Sequence, residues 1–138
     1  LALKDSGRLV VAVIGDGDFL MSVNAFWTAA HYKIPLLTIV ANNQSYFNDE
    51  MHQDRVARAR GRNPENRWIG QKFTDPNPDL AKLAEAQGLV GIGPINTSDE
   101  LTMAIADGVS VLRDGGTCVI DVRVGPRGAT AATMIGRR

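Results

Sequence analysis

The apolar residues of this chain fall into short continuous runs separated by longer segments of mixed polarity. Three runs rich in β-branched residues predict strands, at 9–14, 36–41 and 117–124. A shorter run at 89–92 is a fourth strand candidate. Because the run at 9–14 is apolar throughout and does not alternate with polar residues, it is typical of a strand buried on both faces of a parallel sheet.

Segments of helical length alternate with these runs. Residues 19–32 are apolar nearly all round, which predicts a helix packed on several sides, and Pro35 follows its end. Residues 79–87 predict a short amphipathic helix, and Ser98 is expected to cap a helix over 99–113. The alternation predicts an α/β fold, with an open, mostly parallel sheet, helices on both faces and a missing first strand.

The segment at 44–74 has no clear hydrophobic period. A structureless stretch of this length within a compact domain is usually functional or mobile. Its five arginines are a candidate clamp for a carboxylate or a phosphate, and a solvated loop is an equally good interpretation. These residues are Arg55, Arg58, Arg60, Arg62 and Arg67.

The size of the chain predicts one domain. Its 138 residues are enough to bury a core, and we expect a domain over 1–125 that is incomplete at its N-terminus, with a C-terminal tail at 126–138. The sequence does not start with methionine, and 1–4 resembles the end of a helix that stops at Gly7, so we expect a fragment of a longer polypeptide.

Charge and cysteine content narrow the function classes. The formal net charge is zero, so no overall field attracts nucleic acid or an anionic membrane. No apolar run approaches the length of a membrane span, and no signal peptide is evident. The single cysteine, Cys118, excludes an internal disulfide and fits a core position in a reducing, cytoplasmic compartment.

Two short polar motifs follow predicted strands at a fixed distance. Gly15-Asp16-Gly17 comes after the first strand, Asn42-Asn43 comes after the second, and 24 residues lie between them. A carboxylate and an amide oxygen at strand ends suit a hard divalent cation such as Mg²⁺, and the glycines leave room for a phosphate against the backbone. Taken singly, Asp16 fits a helix cap, and the asparagines fit a turn.

The two motifs resemble the fingerprint of thiamine-diphosphate-dependent enzymes. The stretch VVAVIGDGDFLMSVNAFWTAAHYKIPLLTIVANNQSYF and the later NPDLAKLAEAQGL resemble the acetolactate synthase and 2-oxo acid decarboxylase branch. The resemblance covers roughly 9–124 and implies the C-terminal, diphosphate-binding domain of such an enzyme. It implies thiamine diphosphate and Mg²⁺ as cofactors.

The resemblance also implies a set of metal ligands. Asp16 is expected to bind Mg²⁺ through its carboxylate, Asn43 through its side-chain oxygen and Ser45 through its backbone carbonyl. The diphosphate is expected at Gly15, Gly17 and Asp18, where a helix begins.

Residues after the second motif have less definite roles. Tyr46 and Phe47 are expected to pack over the cofactor or at an interface. The position six residues beyond the metal-binding asparagine often holds a glutamate in this branch, whereas here it is Asp49, followed by Glu50. We expect one of these two acids to have a substrate-side role, with a solvated loop acid as the alternative.

The function implied by the resemblance is decarboxylation or carboligation of a 2-oxo acid or a related carbonyl compound. The glutamate that activates the cofactor belongs to a pyrimidine-binding domain in this family, so this chain alone is expected to be inactive, and the enzyme is expected to be a homodimer or homotetramer. Two alternatives remain open here: a nucleotide-binding α/β domain, and a non-catalytic regulatory module. For the nucleotide-binding alternative, neither a Walker lysine after Gly17 nor a G-x-G-x-x-G motif is present in the sequence.

Overall fold

The computed structural model describes residues 6–125. The chain divides into two compact units, of which the second is Gln44–Pro78 and the first contains the described residues on either side of it. The predicted C-terminal tail at 126–138, and the helix end predicted at 1–4, lie outside the described residues. The predicted domain limits therefore stay a prediction.

The first unit is built on a parallel sheet. Its four strands lie in the order β1-β2-β4-β3, and every neighbouring pair is parallel. In chain order, the strands are β1 Val11–Gly15, β2 Leu36–Asn42, β3 Val90–Ile95 and β4 Thr117–Arg123. The predicted parallel α/β fold is confirmed, and each strand lies within a few residues of its predicted run.

Three helices cover the two faces of this sheet: α1 Asp16–His31, α3 Leu80–Ala86 and α4 Ser98–Arg113. Side chains that alternate along the strands join different clusters. Val40 and Val119 pack with Phe19 of α1 and Leu80 of α3, and all four are fully buried. Their strand neighbours, such as Ile120, pack instead with α4.

The prediction that the first strand is buried on both faces is wrong for this chain. In the described residues β1 lies at an edge of the sheet, and the side chains of Val11 and Val13 are 51% and 70% exposed. Both pair with β2 residues on the face that α4 covers, but the hydrophobic cluster around α4 contains residues of the other three strands and none of β1.

Helix α1 begins three residues earlier than predicted and exposes part of its apolar surface. Phe19 and Phe26 are buried with ring centroids 4.9 Å apart, whereas Met21 and Trp27 are more than half exposed. The backbone departs from helical angles at Ser22, whose hydroxyl donates a hydrogen bond to the carbonyl oxygen of Asp18. Within residues 6–125, no helix is both long enough and apolar enough to cross a membrane.

The first turn of α4 differs from its prediction. Thr97, and not Ser98, is the N-cap residue, and its Oγ1 accepts a hydrogen bond from the backbone N–H of Glu100. The Glu100 carboxylate in turn accepts hydrogen bonds from the N–H groups of Asn96 and Thr97. The expected cap was therefore one residue too late, and the shift by one residue brings Glu100 into the N3 position of a capping box.

The second unit contains a helix that the hydrophobic pattern did not predict. Helix α2 spans Phe47–Ala59, and Glu50 is its only buried residue. An ion pair four residues apart, between Asp54 and Arg58, lies along it at 2.8 Å. The absence of a clear period at 44–74 therefore reflects an exposed helix and not a wholly structureless loop.

Candidate cofactor site

The first motif forms the junction between β1 and α1. Gly15 is both the last residue of the strand and the N-cap of the helix, and Asp16 is the first helical residue. The Asp16 side chain is 2% exposed, and its Oδ1 accepts a hydrogen bond from the N–H of Gly17 at 3.0 Å. Asp18 Oδ2 accepts one from the N–H of Gly15 at 3.3 Å. The motif thus lies at the positive end of a helix, where phosphate groups bind favourably.

The second motif lies at the same edge of the sheet. Gly15 of β1 is the register partner of Ala41 of β2, so the two motifs leave neighbouring parallel strands at their carboxyl ends. This is the edge at which open α/β sheets bind ligands. Asn42 is 3% exposed, whereas Asn43 is exposed. The two adjacent amides therefore lie in different environments.

A buried carboxylate holds the side chain of Asn42. Its Nδ2 donates a hydrogen bond to Asp121 Oδ1 at 2.8 Å, and its backbone carbonyl accepts one from the N–H of Val124 at 3.0 Å. Asp121 is 1% exposed near the end of β4. Asp121 is not among the predicted site residues, although an acid inside the apolar run 117–124 is a signal that could have identified it.

The environment of Asp121 raises its pKa. Burial is the main cause, and the negative charges of Asp79 and Asp16 act in the same direction. The hydrogen bond from Asn42 and the charge of Arg123 oppose the shift. The buried Asp121 carboxyl is therefore held less readily in its charged form than an exposed aspartate would be.

The second unit holds the other predicted site residues. Ser45 is buried, and its hydroxyl donates a hydrogen bond to Glu50 Oε1, which is also buried. Asp49 is exposed. The N–H of Tyr46 donates to the carbonyl of Gln71 at 3.0 Å.

Tyr46 and Phe47, the aromatic residues predicted to pack over a cofactor, lie at the start of α2 in the second unit. The Tyr46 ring contacts Phe73 edge to face, with centroids 5.2 Å apart, and Phe47 is partly buried at the start of α2. Their predicted role toward a cofactor stays a prediction.

The chemistry of the donor set fits a metal-bound diphosphate. Among residues 6–125 no three His, Cys, Asp or Glu side chains are grouped so that they could hold a metal ion. The predicted Mg²⁺ set does not need such a group, because Asp16 would supply one carboxylate and Asn43 one amide oxygen. A backbone carbonyl, diphosphate oxygens and water suit the remaining positions of an octahedral ion.

Comparison with known proteins decides the family. Residues 1–122 match the family model described as thiamine pyrophosphate enzyme, C-terminal TPP binding domain. The chain belongs to the thiamine-diphosphate-dependent enzymes. Membership implies thiamine diphosphate and Mg²⁺ as the cofactors, and it favours this interpretation over the nucleotide-binding alternative.

Two of the curated relatives are acetolactate synthase large subunits. The chain is 35% identical over 102 residues to the acetolactate synthase large subunit of Haemophilus influenzae, covering 74% of this chain and 16% of that protein. It is 30% identical over 115 residues to the isozyme 3 large subunit of Escherichia coli, covering 83% of this chain and 18% of that protein. The chain thus spans less than a fifth of the length of these relatives.

Solved structures of the family share the fold. A thiamine diphosphate-dependent 4-hydroxybenzoylformate decarboxylase from Rhodococcus jostii superposes with a TM-score of 0.68 at 26% identity, over 88% of this chain and 20% of that one. A benzoylformate decarboxylase from Polynucleobacter necessarius gives a TM-score of 0.65 over 90% of this chain and 21% of that one. At 24% identity, this second likeness concerns the fold alone.

Proposed function

We propose that this chain is the Mg²⁺- and diphosphate-binding part of an enzyme that decarboxylates or carboligates a 2-oxo acid or a related carbonyl compound. The observation that carries the proposal is the placement of the two motifs at the carboxyl ends of the neighbouring strands β1 and β2. The names of the acetolactate synthase relatives and of the decarboxylase neighbour support the reaction class.

Three residues of this chain are proposed to hold the metal. The carboxylate of Asp16 and the side-chain oxygen of Asn43 are the proposed ligands, and the backbone carbonyl of Ser45 is the third. Support comes from the oxygen chemistry of this set and from the position of Asp16 at the start of α1. The N–H groups of Gly17 and Asp18, in the first turn of α1, are proposed to donate to the diphosphate.

Bound thiamine diphosphate supplies a nucleophilic carbon and an electron sink, and the protein supplies position and electrostatics. In this chain we assign the substrate-side proton role to Asp49 and not to Glu50. Asp49 is exposed, whereas the Glu50 carboxylate is buried and accepts a hydrogen bond from Ser45. A buried acid that is already engaged is the poorer candidate for exchanging protons with a substrate.

The rest of the cofactor cleft is proposed to come from a pyrimidine-binding domain of the same or a partner chain. We accordingly expect the 138 residues to be inactive by themselves and the enzyme to be a cytoplasmic homodimer or homotetramer. The small share of the relatives' length that the chain covers supports the first expectation.

Titration calorimetry tests the proposed cofactor site. Thiamine diphosphate is titrated into the longest polypeptide that carries this chain, with Mg²⁺ present and then with Mg²⁺ removed by a chelator. We expect metal-dependent binding that Asp16→Ala abolishes. Asp114→Ala is the matched control, because Asp114 is an exposed acid at the C-terminal end of α4, and it should bind as the unmodified protein does.

Activity with a small panel of 2-oxo acids then tests the reaction. Release of carbon dioxide together with the corresponding aldehyde indicates a decarboxylase, whereas release of carbon dioxide together with a longer hydroxy-keto acid indicates a carboligase. Absence of thiamine diphosphate binding in a folded polypeptide would contradict the proposed site. Binding without turnover of any 2-oxo acid would favour the regulatory alternative.

A further inference from the structure

The carboxylate of Asp121 is buried near the end of β4 and has no role in the function proposed above. One of its oxygens, Oδ1, accepts the hydrogen bond from Asn42 at 2.8 Å. The other, Oδ2, has no hydrogen-bond partner among the described residues, and Arg123 Nη2 lies 3.8 Å from it. Burying a carboxylate with one oxygen unsatisfied destabilises a protein. A contribution to stability is therefore a poor explanation for an aspartate at position 121.

The partner of Asp121 is the first of two chemically identical neighbours. Asn42 and Asn43 have the same side chain, and either amide oxygen could bind a metal. Because successive side chains of a strand point to opposite sides, fixing Asn42 inward directs the next side chain away from the interior. The burial of Asn42 at 3% exposure and the exposure of Asn43 agree with this alternation.

Strand β4 fixes Asn42 at two points. Its amide is held by the Asp121 side chain, and its backbone carbonyl accepts the hydrogen bond from the N–H of Val124. The parallel pairing with β4 places Asn42 opposite Arg123, and this register directs Asn42 and Asn43 to opposite sides. The Asp121 side chain then holds the inward amide of Asn42 in place at the end of the strand.

We propose that Asp121 is a positioning residue whose hydrogen bond to Asn42 holds the end of β2 in the orientation that makes Asn43 the metal ligand. The inference rests on the proposed function, because it concerns the same Mg²⁺ site. Asp121 contacts neither metal nor cofactor in this role and acts only through Asn42. Groups that hydrogen-bond a metal ligand directly contribute about 10- to 100-fold to metal affinity, and Asp121 acts one residue further away, so its effect is expected at the lower end of that range.

The affinity of the polypeptide for Mn²⁺, measured by electron paramagnetic resonance with thiamine diphosphate present, tests this role without relying on turnover. We expect Asp121→Ala to weaken Mn²⁺ binding by about 10-fold. Asp121→Asn keeps an oxygen acceptor of nearly the same shape, and we expect it to remain within a few-fold of the unmodified protein. Asn42→Ala removes the other half of the hydrogen bond and should weaken binding as much as Asp121→Ala, which provides a second test if that variant does not fold.

A control variant separates positioning from general loss of stability. Thr97→Ala removes the cap of α4, away from both motifs, and should lower the thermal midpoint without changing Mn²⁺ affinity. A further expectation is that Asn43→Ala weakens Mn²⁺ binding strongly in the unmodified background but by a smaller factor in Asp121→Ala. Destabilisation alone would not make the effect of Asn43→Ala on Mn²⁺ binding smaller in the Asp121→Ala background.

The outcomes distinguish this inference from the proposed function. Asp16-dependent Mn²⁺ binding that is unchanged in folded Asp121→Ala or Asn42→Ala would overturn the inference and leave the cofactor site intact. Absence of Asp16-dependent binding in the unmodified polypeptide would overturn both. Equal weakening in Asp121→Ala and Thr97→Ala would also overturn the inference, because it would show that stability, and not positioning, sets the affinity.

Discussion

Gly91 is the position at which the backbone of β3 approaches helix α3 most closely. A Cβ atom built at Gly91 would lie 2.2 Å from the carbonyl oxygen of Ala81 and 2.8 Å from its carbonyl carbon. Both atoms belong to the backbone of α3, so no side-chain rotation relieves the contact. We predict that Gly91→Ala strongly destabilises the first unit.

The size of the effect follows from the displacement that is needed. Moving the new Cβ atom from 2.2 Å to 3.0 Å from the carbonyl oxygen of Ala81, the limit of observed contacts, requires a shift of about 0.8 Å between β3 and α3. The neighbours are closely packed, because Leu80 and Ala84 of α3 are fully buried. Overpacking of this kind costs about 1–3 kcal/mol, and the backbone origin of the contact places Gly91→Ala near the upper end of that range.

Urea-induced unfolding of the polypeptide, followed by circular dichroism, measures this cost. A loss of about 3 kcal/mol corresponds to a midpoint lower by about 1.5 M at a urea dependence of about 2 kcal/mol/M. Gly125→Ala is the control, because a Cβ at Gly125 would meet nothing within 4 Å. Both changes restrict the unfolded chain similarly, so the difference between them isolates the steric contact. Equal midpoints for the two variants would refute the argument.

Three further predictions concern α4 and the core. Thr97→Ala should lower stability by about 1 kcal/mol, and Thr97→Ser by clearly less, in the same urea assay, because serine retains the capping oxygen. Hydrogen bonds from the N–H groups of Asn96 and Thr97 hold the pKa of Glu100 below its ordinary value of 4.5. The Glu100 carboxylate therefore stabilises the folded protein fully above pH 4.5, and this stabilisation is lost as the pH falls through the lower pKa of the folded state. The stability difference between the unmodified protein and Glu100→Gln should therefore shrink in acid, and a difference that stays constant would contradict this. Burial raises the pKa of the Cys118 thiol to about 11 from 9.0, so a disulfide reagent should label it at least about 100-fold more slowly in the native than in the unfolded protein, and comparable rates would be inconsistent with this core position.

The fold could be predicted from the sequence where burial leaves a local pattern. All four strands come from continuous apolar runs, and the helices of the first unit come from the segments between them. Helix α2 could not be predicted in this way, because Glu50 is its only buried residue and its ion pair between Asp54 and Arg58 produces no hydrophobic period. The exposure of Val11 and Val13 was equally unpredictable, because a run of apolar residues does not show whether a strand lies at the centre or the edge of a sheet.

The candidate site likewise contains features that adjacent residues predict and features that depend on residues far apart in the sequence. The position of Asp16 at the start of α1 follows from adjacent residues, so the motif was sufficient to predict it. The hydrogen bond between Asn42 and Asp121 joins residues 79 positions apart, and no local pattern connects them. Only the parallel pairing of β2 with β4 brings the two side chains together.

The choice between the two asparagines shows what the structure adds to the motif. From the sequence, Asn43 was selected as the ligand only through the family resemblance, because the two side chains are identical. The structure offers an independent physical reason, since Asn42 is buried and held by Asp121 while Asn43 is exposed. On the proposed assignment, the motif supplies two identical candidate ligands, and the pairing of β2 with the distant strand β4 sets which of them faces outward.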